Sequence, residues 1–274
     1  GGGGLLASAA VSLVSPRSPA PPARFEHIAL AVRVDDLPAW DRLLRRDLGG
    51  TASMGGAVPK IGFQGGQVDY PGGGMLELLS WIEGAEEKSA MKRYVDRHGG
   101  CAALHHLTFL VEDFDASVER ARELGYEPML GRNTRHWKEF YLREPSLRPT
   151  GFLLQVLQAD KGAIASQPGW GDAWAPFAVE YADASPPARI TAVEMVSADA
   201  EASARPFVGL LGAESIARGA GQELLWPGSS MRVRLVPEGE SHVAVSPRAE
   251  DRSEVDAALA AGPPRARDLL RTAI

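Results

Sequence analysis

Two stretches of the chain repeat one pattern 79 residues apart, and this repeat limits the possible folds more than any other feature. Phe25-Glu-His-Ile-Ala-Leu-Ala-Val32 and Leu104-His-His-Leu-Thr-Phe-Leu-Val111 each place a histidine, His27 or His106, in an otherwise apolar run. In the second copy Leu107, Phe109 and Val111 alternate with His106, Thr108 and Leu110, the period of a β-strand with two distinct faces. A buried imidazole without a partner costs about 1–3 kcal/mol, so each strand must bring its histidine to something that satisfies it. Each strand is followed by an acidic turn and an amphipathic helix, Leu37 to Leu48 and Phe114 to Leu124, which ends at Gly49 or Gly125. The far ends match as well: Met75-Leu-Glu-Leu-Leu79 corresponds to Leu153-Leu-Gln-Val-Leu157, which places Glu77 and Gln155 78 residues apart. A nearly constant offset at both ends of a unit marks a duplicated module.

Within each unit the order reads β, α, β, β, β. Asp36 and Asp113 stand where helix caps belong, and Pro38 falls at an early helical position where its missing N–H does no harm. Trp40, Leu43, Leu44 and Leu48 give the first helix a buried face; Phe114, Val118, Ala121 and Leu124 do so for the second. The expected later strands are Ile61–Phe63, Gln67–Tyr70 and the Glu77 strand, then Tyr126–Leu130, Lys138–Leu142 and the Gln155 strand. The glycine run at Pro71-Gly-Gly-Gly74 leads into a strand and reads as a hairpin turn, since a phosphate-binding loop should open a helix. A polar, helix-compatible connector at Ala85–His98 joins the units.

The last third repeats the pattern in eroded form. Pro227-Gly-Ser-Ser-Met231 lies 156 residues after Pro71-Gly-Gly-Gly-Met75, twice 78. That register puts Val233 in the place of Glu77 and Thr191 near a histidine position, and leaves His242 as a lone metal-capable residue. The expected organisation is a leader or targeting remnant over 1–23, modules at 24–84 and 100–160 in one domain (24–160), a linker over 161–187, and a degenerate pair over 188–274 short of a full fourth module. The fold class is therefore α+β, with tandem βαβββ modules, the first pair well formed and the C-terminal pair degenerate.

Composition narrows the function. The formal charge of −6 gives no basic face for nucleic acid. No apolar run approaches the ~20 residues of a membrane span. The single cysteine, Cys101, excludes an intramolecular disulfide and a cysteine-rich zinc site. A soluble protein acting on a small molecule is expected, cytoplasmic, or organellar if the leader is a transit remnant. Its partners are then a substrate and, at most, a second copy: a monomer or homodimer.

Two pseudo-symmetric modules, each offering one residue from its first strand and one from its last, can bring His27, Glu77, His106 and Gln155 to a common cleft. Two imidazoles, a carboxylate and an amide oxygen suit a divalent ion such as Zn, Ni, Co, Fe or Mn, with positions left for water or substrate. The alternative is that all four are hydrogen-bonded polar core residues. The repeated His-hydrophobic-Ala/Thr-hydrophobic-x-Val motif, the Leu-Glu-Leu strand end at Glu77, and Tyr94-Val-Asp-Arg-His-Gly99 before His105-His106 resemble the vicinal oxygen chelate superfamily. That group includes glyoxalase I, methylmalonyl-CoA epimerase, bleomycin-resistance proteins and extradiol dioxygenases.

The resemblance implies a metal held by His27, Glu77, His106 and Gln155, and a glyoxalase-like fold. It also implies a lyase, isomerase or epimerase that stabilises the enolate of a carbonyl or thioester substrate. Gln155 departs from the glutamate usual at that place and cannot act as a base. Glu77, His105, His136 and Tyr141 are the candidate proton carriers, with Glu77 and His105 taken as the catalytic pair. A non-catalytic sequestration protein is the alternative, and an iron-dependent extradiol-type dioxygenase ranks third.

Overall fold

A computed structural model describes residues 23–160, 162–163 and 178–273. Most of the expected leader and much of the expected linker lie outside these residues. The first half forms one curled sheet of eight strands. These are β1 (Arg24–Ala31), β2 (Thr51–Val58), β3 (Phe63–Asp69), β4 (Met75–Trp81), β5 (Ala103–Leu110), β6 (Met129–Asn133), β7 (Trp137–Arg143) and β8 (Leu153–Ala159). Their order across the sheet is β2-β3-β4-β1-β5-β8-β7-β6, so the two histidine strands lie side by side at the centre. β1 and β5 run antiparallel, β4 runs parallel to β1, and β8 runs parallel to β5. This is the pseudo-twofold arrangement that the repeat requires.

The helices follow the apolar periodicity. α1 (Leu37–Asp41) widens into a π-type turn over Arg42–Asp47 and buries Leu37, Trp40, Leu43 and Leu44. Asp36 occupies the N-cap position but makes no side-chain cap bond. Between the modules, α2 (Ala90–Arg97) starts where Ser89 accepts from the Met91 N–H, and it packs Tyr94 and Val95 against Ala31, Trp81 and Ala103. α3 (Phe114–Glu123) has the cap that α1 lacks, with the Asp113 carboxylate accepting from the Ala116 N–H at 2.9 Å.

Two strands differ from the sequence expectation: the strand expected at Tyr126–Leu130 starts at Met129, and the second strand is displaced. The second strand is Thr51–Val58, and Pro59–Ile61 is a short turn rather than a strand. Across this hairpin Gly55 faces Gly66 and Gly56 faces Gly65. Glycines have no side chains with which to mark alternating faces, so the hairpin carries no period to read.

A second sheet holds β9 (Arg189–Val196), β10 (Glu214–Arg218), β11 (Gly221–Leu225), β12 (Arg232–Val236), β13 (His242–Ser246) and β14 (Leu270–Thr272), in the order β10-β11-β12-β9-β13-β14. β9, α4 (Ala200–Gly209), β10, β11 and β12 form a complete βαβββ unit. β13 pairs antiparallel with β9, as β5 does with β1, and β14 pairs parallel with β13. Between β13 and β14 the chain forms two helices, α5 (Arg252–Ala261) and α6 (Ala266–Leu269), where the first half has α3 and the β6–β7 hairpin. The C-terminal pair is thus one full module and one reduced to its first and last strands.

The two sheets share a single apolar core. At its centre Phe25 stacks on Phe109 at 4.9 Å, and Trp226 from the second sheet lies 5.7 and 5.0 Å from those two rings. Among the described residues no helix is long and apolar enough to cross a membrane.

Candidate metal centre

On the face of the first sheet opposite this core, β1, β4 and β5 bring three polar side chains together. His27 and His106 are almost fully buried, and the Glu77 side chain is 17% exposed. The His27 and His106 Nε2 atoms lie 3.3 Å apart; the Glu77 Oε2 is 3.3 Å from the first and 3.5 Å from the second. Ligands about 2.1 Å from one ion lie roughly 3.0 Å apart at octahedral angles and about 3.4 Å apart at tetrahedral ones. The triangle fits a shared divalent ion, and these three residues form a group able to hold one.

The hydrogen-bond partners of both rings strengthen this fit. His27 Nδ1 lies 2.8 Å from the Glu26 carboxylate, and His106 Nδ1 lies 2.8 Å from His105 Nδ1. With each Nδ1 engaged by its neighbour, each Nε2 is the ring nitrogen that faces the centre and can ligate once it carries no proton. The partner is in both cases the residue just before the histidine, which in a regular strand would point to the other face. Two β-bulges remove that constraint. The register of the β1–β5 pair skips Glu26 between Phe25 and His27, and skips His105 between Leu104 and His106. A bulge re-aims the extra residue, so the side chain can return to its neighbour's ring.

The fourth ligand expected from the sequence sits beside the triangle. Thr108 Oγ1 lies 2.8 Å from His27 Nε2 and donates to the Gln155 Oε1 at 2.5 Å. The Gln155 amide donates to Glu139 Oε2 at 2.7 Å and to the Tyr141 hydroxyl oxygen at 3.0 Å. Glu139 also accepts from the Trp137 indole N–H at 2.7 Å and from the Arg132 backbone N–H at 3.1 Å. Gln67 on β3 donates to the other oxygen of Glu77 at 3.5 Å. Sequence reasoning did not single out Glu139, because Trp137-Lys-Glu-Phe-Tyr141 reads as an ordinary half-exposed strand.

His105 lies against Tyr94, with ring centroids 4.6 Å apart, and its polar contact is with His106. His136 lies outside the cluster, one-third exposed, with Nδ1 3.8 Å from Asp160.

Charges in the pocket are strongly coupled. Burial works against the charged form of His27, but the Glu77 charge and the hydrogen bonds that its ring donates to Glu26 and Glu77 outweigh it and push its pKa up to about 9. Burial likewise opposes ionisation of Glu77, yet the His27 charge and both histidine hydrogen bonds hold its carboxyl well below the usual range. Desolvation keeps His106 below its ordinary value; for His105, burial and then the His106 charge lower it much further. Burial and then the Glu139 charge raise the Tyr141 hydroxyl, which stays protonated.

Without metal the pocket therefore holds a His27⁺–Glu77⁻ pair, and an entering cation must displace the His27 proton. Metal affinity is expected to rise about tenfold per pH unit from pH 7 toward pH 9, and then to level off. Competitive titration against a chromophoric chelator across that range measures it.

The bulged partners give a second expectation. Removing groups that orient a metal-ligating histidine typically costs 10–100-fold in affinity. Glu26→Gln and His105→Phe should each weaken metal binding by about that factor and leave the stoichiometry at saturation unchanged, as read by the same titration.

The centre would lie on strands of a fold that recurs in known structures. The 4-hydroxymandelate synthase variant from Streptomyces coelicolor aligns over 87% of this chain and 75% of its own, at 17% identity and a TM-score of 0.54. A xylose isomerase-like TIM barrel/4-hydroxyphenylpyruvate dioxygenase fusion protein aligns over 88% of this chain and 40% of its own, at 16% identity and a TM-score of 0.56. Methylmalonyl-CoA epimerase from Mycobacterium tuberculosis aligns over 51% of this chain and 90% of its own, at 22% identity and a TM-score of 0.42. For the first two of these the likeness is one of fold alone. A comparison with curated proteins gave no match. The family model for a glyoxalase-like domain matches residues 25–211, about two-thirds of the sequence and both histidine strands. The chain belongs to the glyoxalase-like domain family, within the vicinal oxygen chelate superfamily.

Proposed function

We propose that the protein is a divalent-metal enzyme that moves a proton next to a carbonyl, as an isomerase, epimerase or glyoxalase-like lyase does. One observation carries this reading: three ligand atoms 3.3–3.5 Å apart, with both imidazole Nδ1 atoms already engaged. His27, Glu77 and His106 would hold the ion, with the Gln155 amide oxygen as a fourth ligand once Thr108 turns away. A bound divalent ion polarises a carbonyl oxygen and stabilises negative charge beside it.

The proton carrier must then be a carboxylate that the ion does not claim. Gln155 has no proton to exchange, and Glu77 is taken up by the two histidines. Glu139 is ranged beside Gln155 on the same face. It is fixed there by the Gln155 amide and the Trp137 indole, each at 2.7 Å. Tyr141, held protonated beside it, orients a substrate oxygen through its hydroxyl. The roles expected for Glu77 and His105 as a catalytic pair change accordingly: Glu77 is a metal ligand, and His105 is a positioning residue acting through His106.

The test is hydrogen–deuterium exchange, followed by proton NMR, at the carbon next to the carbonyl in a panel of 2-oxo thioesters, hemithioacetals and acyl thioesters. Metal-loaded protein should catalyse exchange with one member of the panel. Glu139→Gln should lower that rate by about 10²–10⁴-fold with metal content unchanged. Undiminished exchange in Glu139→Gln would remove Glu139 from the role. Tight binding of a panel member with no exchange would favour the sequestration reading instead.

A second reading rests on the ligand set itself. Two histidines and one carboxylate also suit non-haem iron and oxygen chemistry. Oxygen consumption by the iron-loaded protein with catechols or 2-oxo acids, without deuterium exchange, would select it.

A further inference from the structure

The second sheet has a face equivalent to the metal centre, and its chemistry is inverted. The turn from β3 to β4 spans the five residues Tyr70–Gly74, whereas that from β11 to β12 spans the six residues Trp226–Met231. Strand faces alternate, so the extra residue shifts every side chain of β12 to the other side. Val233, which the sequence register put in the place of Glu77, is fully buried in the core, and Arg234 takes that place. Arg234 pairs with Glu194 on β9 as Glu77 pairs with Ala29 on β1. Ala192 and His242 then fall where His27 and His106 stand in the first sheet. A guanidinium replaces the carboxylate and a methyl group replaces one imidazole, so this set does not suit a cation.

Three arginines converge here on one carboxylate. Glu223, 5% exposed, receives Arg218 Nε and Nη2 on one oxygen at 3.3 and 3.2 Å; Arg232 Nη1 and Arg234 Nε reach the other at 3.1 and 3.3 Å. Burial opposes the charge on Glu223, but the arginine hydrogen bonds prevail and hold its carboxyl low. One buried carboxylate needs one guanidinium for neutrality, and this one has three. Glu194, beside Arg234 and 3.9 Å from His242, offsets one more charge, which leaves an excess of positive charge. The remaining guanidinium N–H groups have no protein acceptor among the described residues, and these side chains are 40–66% exposed. Arg218, Arg232 and Arg234 line a cavity of about 330 Å³.

We propose that this cavity is a binding site for a phosphate-type oxyanion, held by Arg218, Arg232 and Arg234 with Glu223 as the strut that fixes their planes. Guanidinium forks match the oxygens of a phosphoryl group, and a tetrahedral anion can meet several forks at once. The site is distinct from the metal centre and independent of the reaction assigned to it. Free phosphate and the phosphoryl group of an organic phosphate share this chemistry, and the two sources are separable by experiment.

The experiment is isothermal titration of the full chain with inorganic phosphate and, separately, with glycerol 3-phosphate, at constant ionic strength set by chloride. One anion per chain is expected, with affinity falling as salt is raised. Arg218→Gln, the most exposed of the three, should weaken binding about tenfold or more, and Arg232→Gln/Arg234→Gln should abolish it. Circular dichroism should confirm the fold of each variant. Tighter binding of glycerol 3-phosphate than of phosphate would identify an organic phosphate, and the reverse the free ion. Either order supports the site. No binding above the chloride control, or binding unchanged in Arg218→Gln, would overturn the proposal. Binding lost in His106→Ala but retained in the arginine variants would also overturn it, by placing the anion at the metal centre.

Discussion

His106→Ala is expected to lose bound divalent metal, with affinity lowered on the order of 100-fold or more and the fold retained. A four-ligand site is worth about 10–16 kcal/mol, so one ligand accounts for about 3 kcal/mol. The loss exceeds that of an average ligand, because His106 lies 3.3 Å from His27 Nε2 and 3.5 Å from Glu77 and closes the triangle. Glu77→Ala should match it, since removing the carboxylate leaves only the neutral donors His27, His106 and the Gln155 amide and deletes the charge that offsets the cation. Plasma mass spectrometry of dialysed protein reads both variants. Both variants should keep the fold, because the ligands occupy the sheet face turned away from the shared core, although Glu77→Ala also removes the ion-pair partner of His27 and should lower the stability of the metal-free protein. Metal retained at the parent level in both variants would contradict the site.

Trp226→Ala is expected to destabilise the whole chain by about 3–5 kcal/mol, the usual cost of removing a large buried aromatic side chain. Trp226 is 4% exposed and touches Phe25 and Phe109, on the two histidine strands, and Phe207 of the second sheet's module. Its indole N–H donates to the Leu211 carbonyl at 3.0 Å, so truncation also leaves a buried acceptor unpaired. The ring clamps the second sheet to the strands that carry His27 and His106. Urea denaturation should therefore show a lower midpoint for the entire protein, and the metal site should lose affinity at sub-denaturing urea. Destabilisation of less than about 1 kcal/mol would mean that the two sheets are held together elsewhere.

How much of this was legible in the sequence depends on what alternation can encode. His27 and His106 were readable because a polar residue at the same point of two apolar strands breaks a pattern twice. Glu77 was readable because it ends the same unit at the same distance. Glu26, and the contact of His105 with the His106 ring, were hidden by the same logic, since alternation assigns the residue before a ligand to the opposite face, and a bulge leaves no trace in the residue types. The Thr51–Val58 strand was hidden because glycines oppose glycines across its hairpin. Val233 was misplaced by one residue of turn length, and in a strand one residue is the difference between the core and the other face. Glu139 is one charge among several on a half-exposed strand, and only the cross-strand contact with Gln155 brings it to the site.

The central claim is that His27, Glu77 and His106 hold one divalent ion, and anomalous diffraction at the metal's absorption edge tests it most directly. Crystals of protein loaded with Zn, Co or Ni should show one strong anomalous peak per chain at this site, about 2.0–2.2 Å from both Nε2 atoms and from a Glu77 carboxylate oxygen. A peak elsewhere, or an intact His27–Glu77 ion pair with no peak under saturating metal, would contradict the account.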